Sequence, residues 1–330
     1  MSVKLMATGS YAPDNSFSLE DMSEILGEDI SDFMEPLGIK QRNQTGDEMS
    51  TTDLAVNAGK DALRNSDLSA KDIDLLIVST DTPDIISPQS SASIADGLGL
   101  KDGVAFFDMN ASCTGFIFAS ETAKNWIEGN PDYNNILVIS VYNMTKFADM
   151  QKGKFFCVFS DGAGAAIYSK EKIGEGLIAS HFIGNGDQWS TLGIYVGGTR
   201  FPATVERLKG EGDVPPELTF WKGELMNRNP ELWPVIIEEM LNKSNYELDD
   251  IDKFIFTQIN KSAIGLTCKN LGINMNQTHN IMDRYGYTGN ACIIMALDDA
   301  LDKGEVKKGD LVCLTASGVG YTMGTMLIRI

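Results

Sequence analysis

Within Phe106-Phe-Asp-Met-Asn-Ala-Ser-Cys113-Thr-Gly115-Phe-Ile-Phe-Ala119, a cysteine falls where an apolar strand pattern gives way to a helical one. Ala111, Ser112 and Gly115 are small enough to permit a tight turn and close approach of a substrate. A thiol at a helix N-terminus feels the partial positive charge of unpaired N–H groups, which can bring its pKa from about 8.5 to roughly 3.5–7.5. Such a cysteine is nucleophilic near neutral pH without a histidine base. A free cysteine is equally at home as a small buried hydrophobe, and the residue types alone leave both readings open at Cys113. Cys157 and Cys313 sit inside apolar, strand-like runs and read as buried hydrophobes.

Two further glycine turns would let backbone approach a ligand closely. One is Arg284-Tyr-Gly286-Tyr287-Thr-Gly289-Asn290-Ala-Cys292, ahead of a helical stretch; the other is Ser317-Gly318-Val319-Gly320-Tyr321, ending a buried strand. Neither of the two histidines, His181 and His279, stands beside one of these turns, and His279 reads as a structural residue on a strand. Two histidines and no Cys-x-x-Cys argue against a zinc site. The acidic runs 19–32 and 248–252 read as solvated helix faces and turns, and the four tryptophans as scattered. Five cysteines without paired spacing fit a reducing compartment. With 46 acidic and 27 basic side chains the net charge is −19, a field that repels nucleic acid and anionic membranes. No apolar run nears the roughly 18 residues of a membrane span. The opening Met1-Ser-Val-Lys-Leu-Met-Ala-Thr-Gly9 lacks a signal peptide's apolar stretch and reads as a first strand, so a cytoplasmic location is expected.

The elements that must carry these turns repeat. Ala62-Leu63-Arg-Asn-Ser66 leads into Asp72-Ile73-Asp74 and the apolar run 75–79; Met240-Leu241-Asn-Lys-Ser244 leads into Asp250-Ile251-Asp252 and the run 253–257. Leu63/Leu241, Ser66/Ser244, Asp72/Asp250, Ile73/Ile251, Asp74/Asp252 and Ile77/Ile255 all stand 178 apart. A second echo sets Cys157-Val-Phe-Ser-Asp-Gly162-Ala-Gly164 against Cys313-Leu-Thr-Ala-Ser-Gly318-Val-Gly320 at a constant 156. Two echoes in the same order point to a duplication rather than to generic helix-to-strand grammar. The first half offers a helix over 51–66, strands over 75–79 and 104–108, a helix over 114–128, and strands over 136–141 and 155–159. The second offers helices over 234–241, 264–271 and 290–300 and strands over 254–256 and 311–315, with a loop at 210–216. Such alternation predicts an α/β architecture with two similar sheets.

Together these segments resemble the β-ketoacyl-acyl-carrier-protein synthase III family of the thiolase-like superfamily, in order along essentially the whole chain. Gly9-Ser-Tyr-Ala-Pro13 and Gly38-Ile-Lys-Gln-Arg42 are similar to its opening strand and Gly-Ile-x-x-Arg segment. Ala111-Ser-Cys113-Thr-Gly115-Phe116 is similar to its nucleophile motif Ala-Ala-Cys-Ala-Gly-Phe, and Ser160-Asp-Gly162-Ala-Gly164-Ala-Ala166 to its Gly-Asp-Gly-Ala-Gly-Ala-Ala. Asp283-Arg-Tyr-Gly286 and residues 300–324 follow its C-terminal pattern. The resemblance implies a duplicated five-layer αβαβα fold, with halves at 1–170 and 171–330, and a homodimer. It implies that Cys113 takes an acyl group from an acyl-CoA as a covalent thioester and passes it on, with no cofactor beyond the coenzyme A thioester itself. An acyl carrier protein is a second candidate partner. Backbone N–H groups of Cys113 and Val319 would form the oxyanion hole, with Asn260, Gly318 and Gly320 against the substrate.

The sequence also departs from that family. Its His-Gln-Ala-Asn motif becomes Thr257-Gln258-Ile259-Asn260, and its Gly-Asn-Thr-Ser loop becomes Gly286-Tyr287-Thr288-Gly289. Thr257 and Tyr287 therefore stand where the resemblance expects the catalytic histidine and asparagine. Thr257 donates a hydrogen bond but carries no proton charge at neutral pH; Tyr287 is a phenol of pKa about 10. Acyl transfer through Cys113 is retained, whereas the support that the family's histidine and asparagine give to decarboxylative condensation is missing, so the second step is atypical; the acceptor is open between a carbon nucleophile, an amine, an alcohol and water, and malonyl decarboxylation is left open with it. The rival readings are a non-catalytic partner of an active paralogue and a cysteine-dependent thioester hydrolase. By spacing, Asp32 and Pro36 replace a tryptophan and an arginine at the family's pantetheine tunnel, and Lys152 stands near a phosphate-contacting arginine. Ser87 replaces a large aromatic on the pocket wall that a partner subunit contributes, which implies a roomier acyl pocket.

Overall fold

The structure, a computed structural model, describes residues 2–171, 176–224 and 227–330. The chain opens with β1 (Ser2–Tyr11) and the ribbon strands β2 (Ser16–Ser18) and β3 (Gln41–Asn43), which enclose α1 (Leu19–Leu26) and α2 (Ser31–Met34). Then follow α3 (Thr51–Arg64), β4 (Leu75–Ser79), α4 (Ser90–Leu98), β5 (Ala105–Met109), α5 (Gly115–Gly129), β6 (Asn135–Tyr142) and β7 (Gly162–Glu171). The second half begins at β8 (Leu177–Gly184), with a ribbon of β9 (Leu192–Gly193) and β10 (Thr219–Phe220) around α6 (Val205–Leu208). It continues through α7 (Asn229–Leu241), β11 (Lys253–Phe256), α8 (Lys261–Leu271), α9 (Met282–Tyr285), α10 (Cys292–Asp302), β12 (Leu311–Gly318) and β13 (Thr322–Arg329). Met1 lies outside the described residues.

The two main sheets have the orders β1-β7-β6-β4-β5 and β8-β13-β12-β11. Their first four strands match in position and direction: antiparallel, antiparallel, then parallel in each. The 178-residue offset carries Thr51 onto Asn229 and Leu75 onto Lys253, the first residues of α3 and α7 and of β4 and β11. That echo is a true structural repeat. The 156-residue echo is not. Cys157 lies in a 3-10 turn over Lys154–Val158 rather than in a strand, whereas Cys313 lies within β12, whose counterpart by sheet position is β6. The apolar run at 155–159 is used differently from a strand: Phe155, Val158 and Phe159 line a cavity.

Helices α3 and α4 cover the outer face of the first sheet, α5 and α10 lie between the sheets, and α7 and α8 cover the outer face of the second. The result is a five-layer αβαβα stack. Position in the stack explains the sequence patterns. The middle helix α10 is buried almost all round, from Cys292 to Asp298, because a sheet lies on either side. The outer helix α3 buries one stripe, Leu54, Ala55, Ala58 and Ala62, and starts from a capping box in which Ser50 Oγ accepts from Asp53 N at 3.2 Å. Helix α7 carries Pro234 in its interior, so the carbonyl of Pro230 has no helical donor. Asn270 of α8 supplies one through Nδ2 at 2.8 Å, tying the two outer helices together. Among the described residues no helix is long and apolar enough to cross a membrane.

His279 lies in irregular chain beside β11 rather than on a strand, but its role is structural as expected. Only 4% exposed, it bridges Asp299 through Nε2 at 2.7 Å and Glu305 through Nδ1 at 2.9 Å. Arg284 forks onto the same Asp299 carboxylate at 2.8 and 2.7 Å, and Lys303 adds an ion pair at 3.0 Å. Burial alone would raise the Asp299 pKa, but the bonds from Arg284, His279 and Lys303 outweigh it and hold the group well below the usual carboxylate range. Asp299→Ala is expected to cost about 3 kcal/mol, the order of breaking a partly buried ion pair, by urea unfolding at pH 7. Because the folded pKa is depressed, the wild-type advantage is complete above the ordinary aspartate value of about 4 and fades as pH falls below it.

Candidate active site

Cys113 stands on a strained turn. Strand β5 ends at Met109, and Ser112 then adopts φ +47°, the one non-glycine residue with positive φ among those described. Such a conformation is costly for a residue with a Cβ and persists where its surroundings impose it. Asn110 Oδ1 accepts from Ser112 N at 2.9 Å, and Thr114 donates to Ala111 O through both its N–H, at 3.2 Å, and its hydroxyl, at 2.5 Å. Gly115 N donates to Ser112 O, and α5 begins. These bonds close a 3-10 turn over Ser112–Thr114, and among the described residues no other residue accepts from the N–H of Cys113. Gly318 packs directly against it: a Cβ there would lie 2.9 Å from Cys113 N and 3.1 Å from Ser112 Cβ. Only glycine lets the end of β12 come so close.

Cys113 is 6% exposed and opens into a cavity of about 560 Å³ between the two halves. Thr257, Tyr287, Asn260, Gly318, Val319 and Gly320 also line it, so the structure brings most of the expected site residues together. Thr257 follows β11; its Oγ1 accepts from Ser317 N at 3.0 Å, which leaves its own proton free to donate. Tyr287 is held by backbone bonds on both sides, donating to Val158 O and accepting from Ser160 N, each at 2.9 Å. The β12–β13 ladder ends at the Gly318–Thr322 pair, so the N–H of Val319 lies just past it. Asn260 spends its side-chain oxygen on capping α8, accepting from Ala263 N at 2.9 Å. Two expected residues lie elsewhere. Lys152 is ion-paired with Glu217 away from the cavity lining, and Ser87 is exposed on the loop before α4 and does not line the cavity of its own chain.

The electrostatics differ from the sequence expectation. Burial, followed by the charge of Asp81, pushes the Cys113 thiol far above its usual pKa, whereas the helix N-terminus was expected to lower it. Desolvation and a neighbouring carboxylate each penalise the anion of sulfur. The one side chain favouring the thiolate is Tyr287, and burial pushes that phenol well above its ordinary value too. Asp81 itself escaped the sequence reading. It stands just beyond the C-terminal end of β4, the kind of place where α/β sheets put ligands. Burial pushes its pKa up to about 7, opposed only by its own backbone N–H, and its Oδ1 has no hydrogen-bond partner.

The tryptophans are not all scattered. Trp189 and Trp221 lie 5.5 Å apart, with Tyr195 at 5.1 Å and Phe201 at 5.2 Å from Trp221, and Arg200 stacks over Trp189 at 4.7 Å. Trp189 and Tyr195 form an aromatic wall of the cavity. Residues in irregular chain, outside any helical or strand pattern, gave no signal of this wall. Among the described residues no three His, Cys, Asp or Glu side chains converge as a metal site.

Two family models match the chain. The one described as 3-oxoacyl-[acyl-carrier-protein] synthase III matches residues 107–186, and its C-terminal companion matches residues 241–330. β-Ketoacyl-[acyl-carrier-protein] synthase III of Syntrophomonas wolfei is 30% identical over 100% of this chain and 98% of its own. The synthase III of Clostridium novyi is 32% identical over 99% of this chain and 98% of its own. The crystal structure of 3-oxoacyl-[acyl-carrier-protein] synthase III from Aquifex aeolicus superposes with a TM-score of 0.86 at 27% identity, covering 100% of both chains.

Two measurements check this geometry. Gly318→Ala should displace the Cys113 turn and destabilise the protein by about 1–3 kcal/mol, as overpacking does, read as a fall in Tm. Asp81→Asn should have the opposite effect at high pH. The folded state holds the Asp81 proton up to about pH 7, whereas the unfolded chain releases it near 4. Wild-type stability therefore falls as pH rises between these values. The variant's Tm should exceed the wild type's above pH 8, and the difference should close below pH 4.

Proposed function

The chain belongs to the 3-oxoacyl-[acyl-carrier-protein] synthase III family of condensing transferases, and on that premise we propose that it is an acyltransferase whose second step is not decarboxylative. Cys113 attacks an acyl-CoA thioester and holds the acyl group as its own thioester. The N–H groups of Cys113 and Val319 receive the oxyanion. The observation that carries this reading is the Cys113 turn, which presents a cavity-facing sulfur beside an N–H from which no other described residue accepts, and brings Gly318 against it. Thr257 and Tyr287 then polarise or orient the acceptor, each with a hydroxyl donor and neither with an imidazole's proton chemistry.

The second step follows from what the cavity lacks. No lysine, arginine or histidine lines it among the described residues, and its one carboxyl group is Asp81. A malonyl carboxylate entering there would be desolvated without a compensating cation. An acceptor that enters neutral, as a carbon acid, amine, alcohol or water, pays no such cost. The free, buried state of all five cysteines supports a reducing, cytoplasmic setting. A homodimer is supported by β5, an open sheet edge whose residues are all half-buried, and by exposed Ile85 and Ile86 next to Ser87. In that assembly Ser87 would meet the partner's cavity. An acyl carrier protein is the alternative acyl partner, separated from coenzyme A by the same assay.

Intact mass spectrometry after incubation with acyl-CoAs of graded length should show one acyl adduct per chain, lost in Cys113→Ala. Malonyl-CoA added to the acylated protein should release no carbon dioxide beyond the Cys113→Ala background. Absence of an adduct with every acyl-CoA and acyl carrier thioester would instead identify a non-catalytic partner subunit. Rapid decay of the adduct in buffer alone would identify a hydrolase.

A further inference from the structure

The cavity contains a group that acyl transfer as described leaves unused. Strands β4 and β5 are parallel neighbours, paired Ser79 to Met109 at their C-terminal ends, and Thr80 N donates to Met109 O at 3.1 Å. The two chains leaving those ends run side by side. Asp81 comes two residues after Ser79 and Cys113 four residues after Met109, and both face the same cavity. The Asp81 segment is pinned on either side: Thr82 N donates to Thr80 Oγ1 at 3.0 Å, and Thr82 Oγ1 accepts from Asn143 N at 2.9 Å. Asp81 is therefore held in place, yet its Oδ1 is shielded and bonded to nothing. A buried carboxyl oxygen without a partner is costly for the fold and calls for a role.

We propose that Asp81 is the proton partner of Cys113, the general base that takes the thiol proton during acylation and returns it to the leaving group. The inference rests on the acyl-transfer reading for its substrate, but the proton coupling itself involves only Asp81 and Cys113. In the first step the Cys113 sulfur bonds to the acyl carbon as its S–H proton passes to the Asp81 carboxylate. The acyl carbon–sulfur bond to coenzyme A breaks, and Asp81 gives the proton to the departing thiolate. In the second step Asp81 takes the proton of the acceptor and delivers it to the Cys113 thiolate as the acyl group leaves. No oxidant, reductant or metal is needed.

The surroundings favour this assignment over the other titratable groups. Cys113, Cys292 of α10, Tyr142 of β6 and Tyr287 are all pushed upward by burial, away from neutral pH. Asp161, behind Tyr142, is also raised by burial, but Thr45 and Thr145 occupy its oxygens with side-chain and backbone bonds. Asp81 alone combines a free oxygen with a pKa of about 7, where a base is half ionised at working pH. Its charge also explains why proton transfer must accompany sulfur attack. Loss of the thiol proton to solvent would leave a thiolate beside an ionised carboxylate, so the proton passes to Asp81 as the new bond forms.

The opposing effects of that charge make the test decisive. Cys113 alkylation by iodoacetamide, followed by peptide mass spectrometry from pH 5 to 9, reads the coupling without any acyl substrate. The wild-type rate should rise through an inflection near pH 7; Asp81→Asn should lose the inflection and react at least about 10-fold more slowly at pH 8. Asp81→Glu should retain an inflection, which a merely structural role would not predict. If Asp81 acts only as a nearby charge, Asp81→Asn will free the thiolate and react as fast or faster, and the proposal is overturned. In single-turnover acylation by acyl-CoA, the same substitution should slow adduct formation by about 10²–10⁴-fold, the usual share of a general base. Normal alkylation coupling with no wild-type acyl adduct would overturn acyl transfer while retaining the Asp81–Cys113 pair. An adduct formed equally by wild type and Asp81→Asn would do the reverse. Melting curves of both variants establish that they are folded.

Discussion

The approach of Gly318 to the Cys113 turn joins the two halves of the molecule. Cys113 belongs to the connection between β5 and α5, and Gly318 is the last residue of β12 in the other sheet. Their backbones come so near that no side chain fits between them. From this contact follow the position of Val319 beside the cysteine, the placement of Ser317 where its N–H reaches Thr257, and the floor of the cavity. The fold can sustain such an approach because the middle layer, α5 and α10, is packed by both sheets and cannot drift relative to either. A duplicated architecture thus supplies rigid walls, and the chemistry is confined to the seam.

At that seam the balance of charge is unusual for a thiol-based site. Every nearby group either is neutral at pH 7 or, in the case of Asp81, loses a proton near it. Burial sets this pattern, since it raises thiol, phenol and carboxyl groups alike by penalising their anions. The cavity offers hydroxyl donors at Thr257 and Tyr287 and one carboxyl group, Asp81, and among the described residues no lysine, arginine or histidine lines it. The threonine and tyrosine at positions 257 and 287 and the carboxylate at position 81 are consistent parts of one environment.

The duplication was legible because the 178-residue echo reflects helix starts and strand starts that recur in register, and local grammar controls both. The 156-residue echo misled for a related reason. An apolar run followed by small residues describes the approach to β7 and the end of β12 equally well, although one is a 3-10 turn leading into a strand and the other a strand leading out. Short apolar runs carry no direction and no sheet position. The aromatic wall was hidden because Trp189, Tyr195, Phe201 and Trp221 lie in irregular chain outside any helical or strand pattern; only the ribbon of β9 and β10 folds them together.

By itself the sequence determined the α/β class, the repeat, the family resemblance and the cysteine at a strand-to-helix turn. Those properties are local or periodic, and neighbouring residues in the chain suffice to encode them. Only the tertiary structure decided the state of that cysteine. Its protonation depends on burial and on a carboxylate arriving from a different strand, and both are distances in space. The helix end seen in the sequence favours a thiolate; burial in the cavity and the charge of Asp81 favour the thiol.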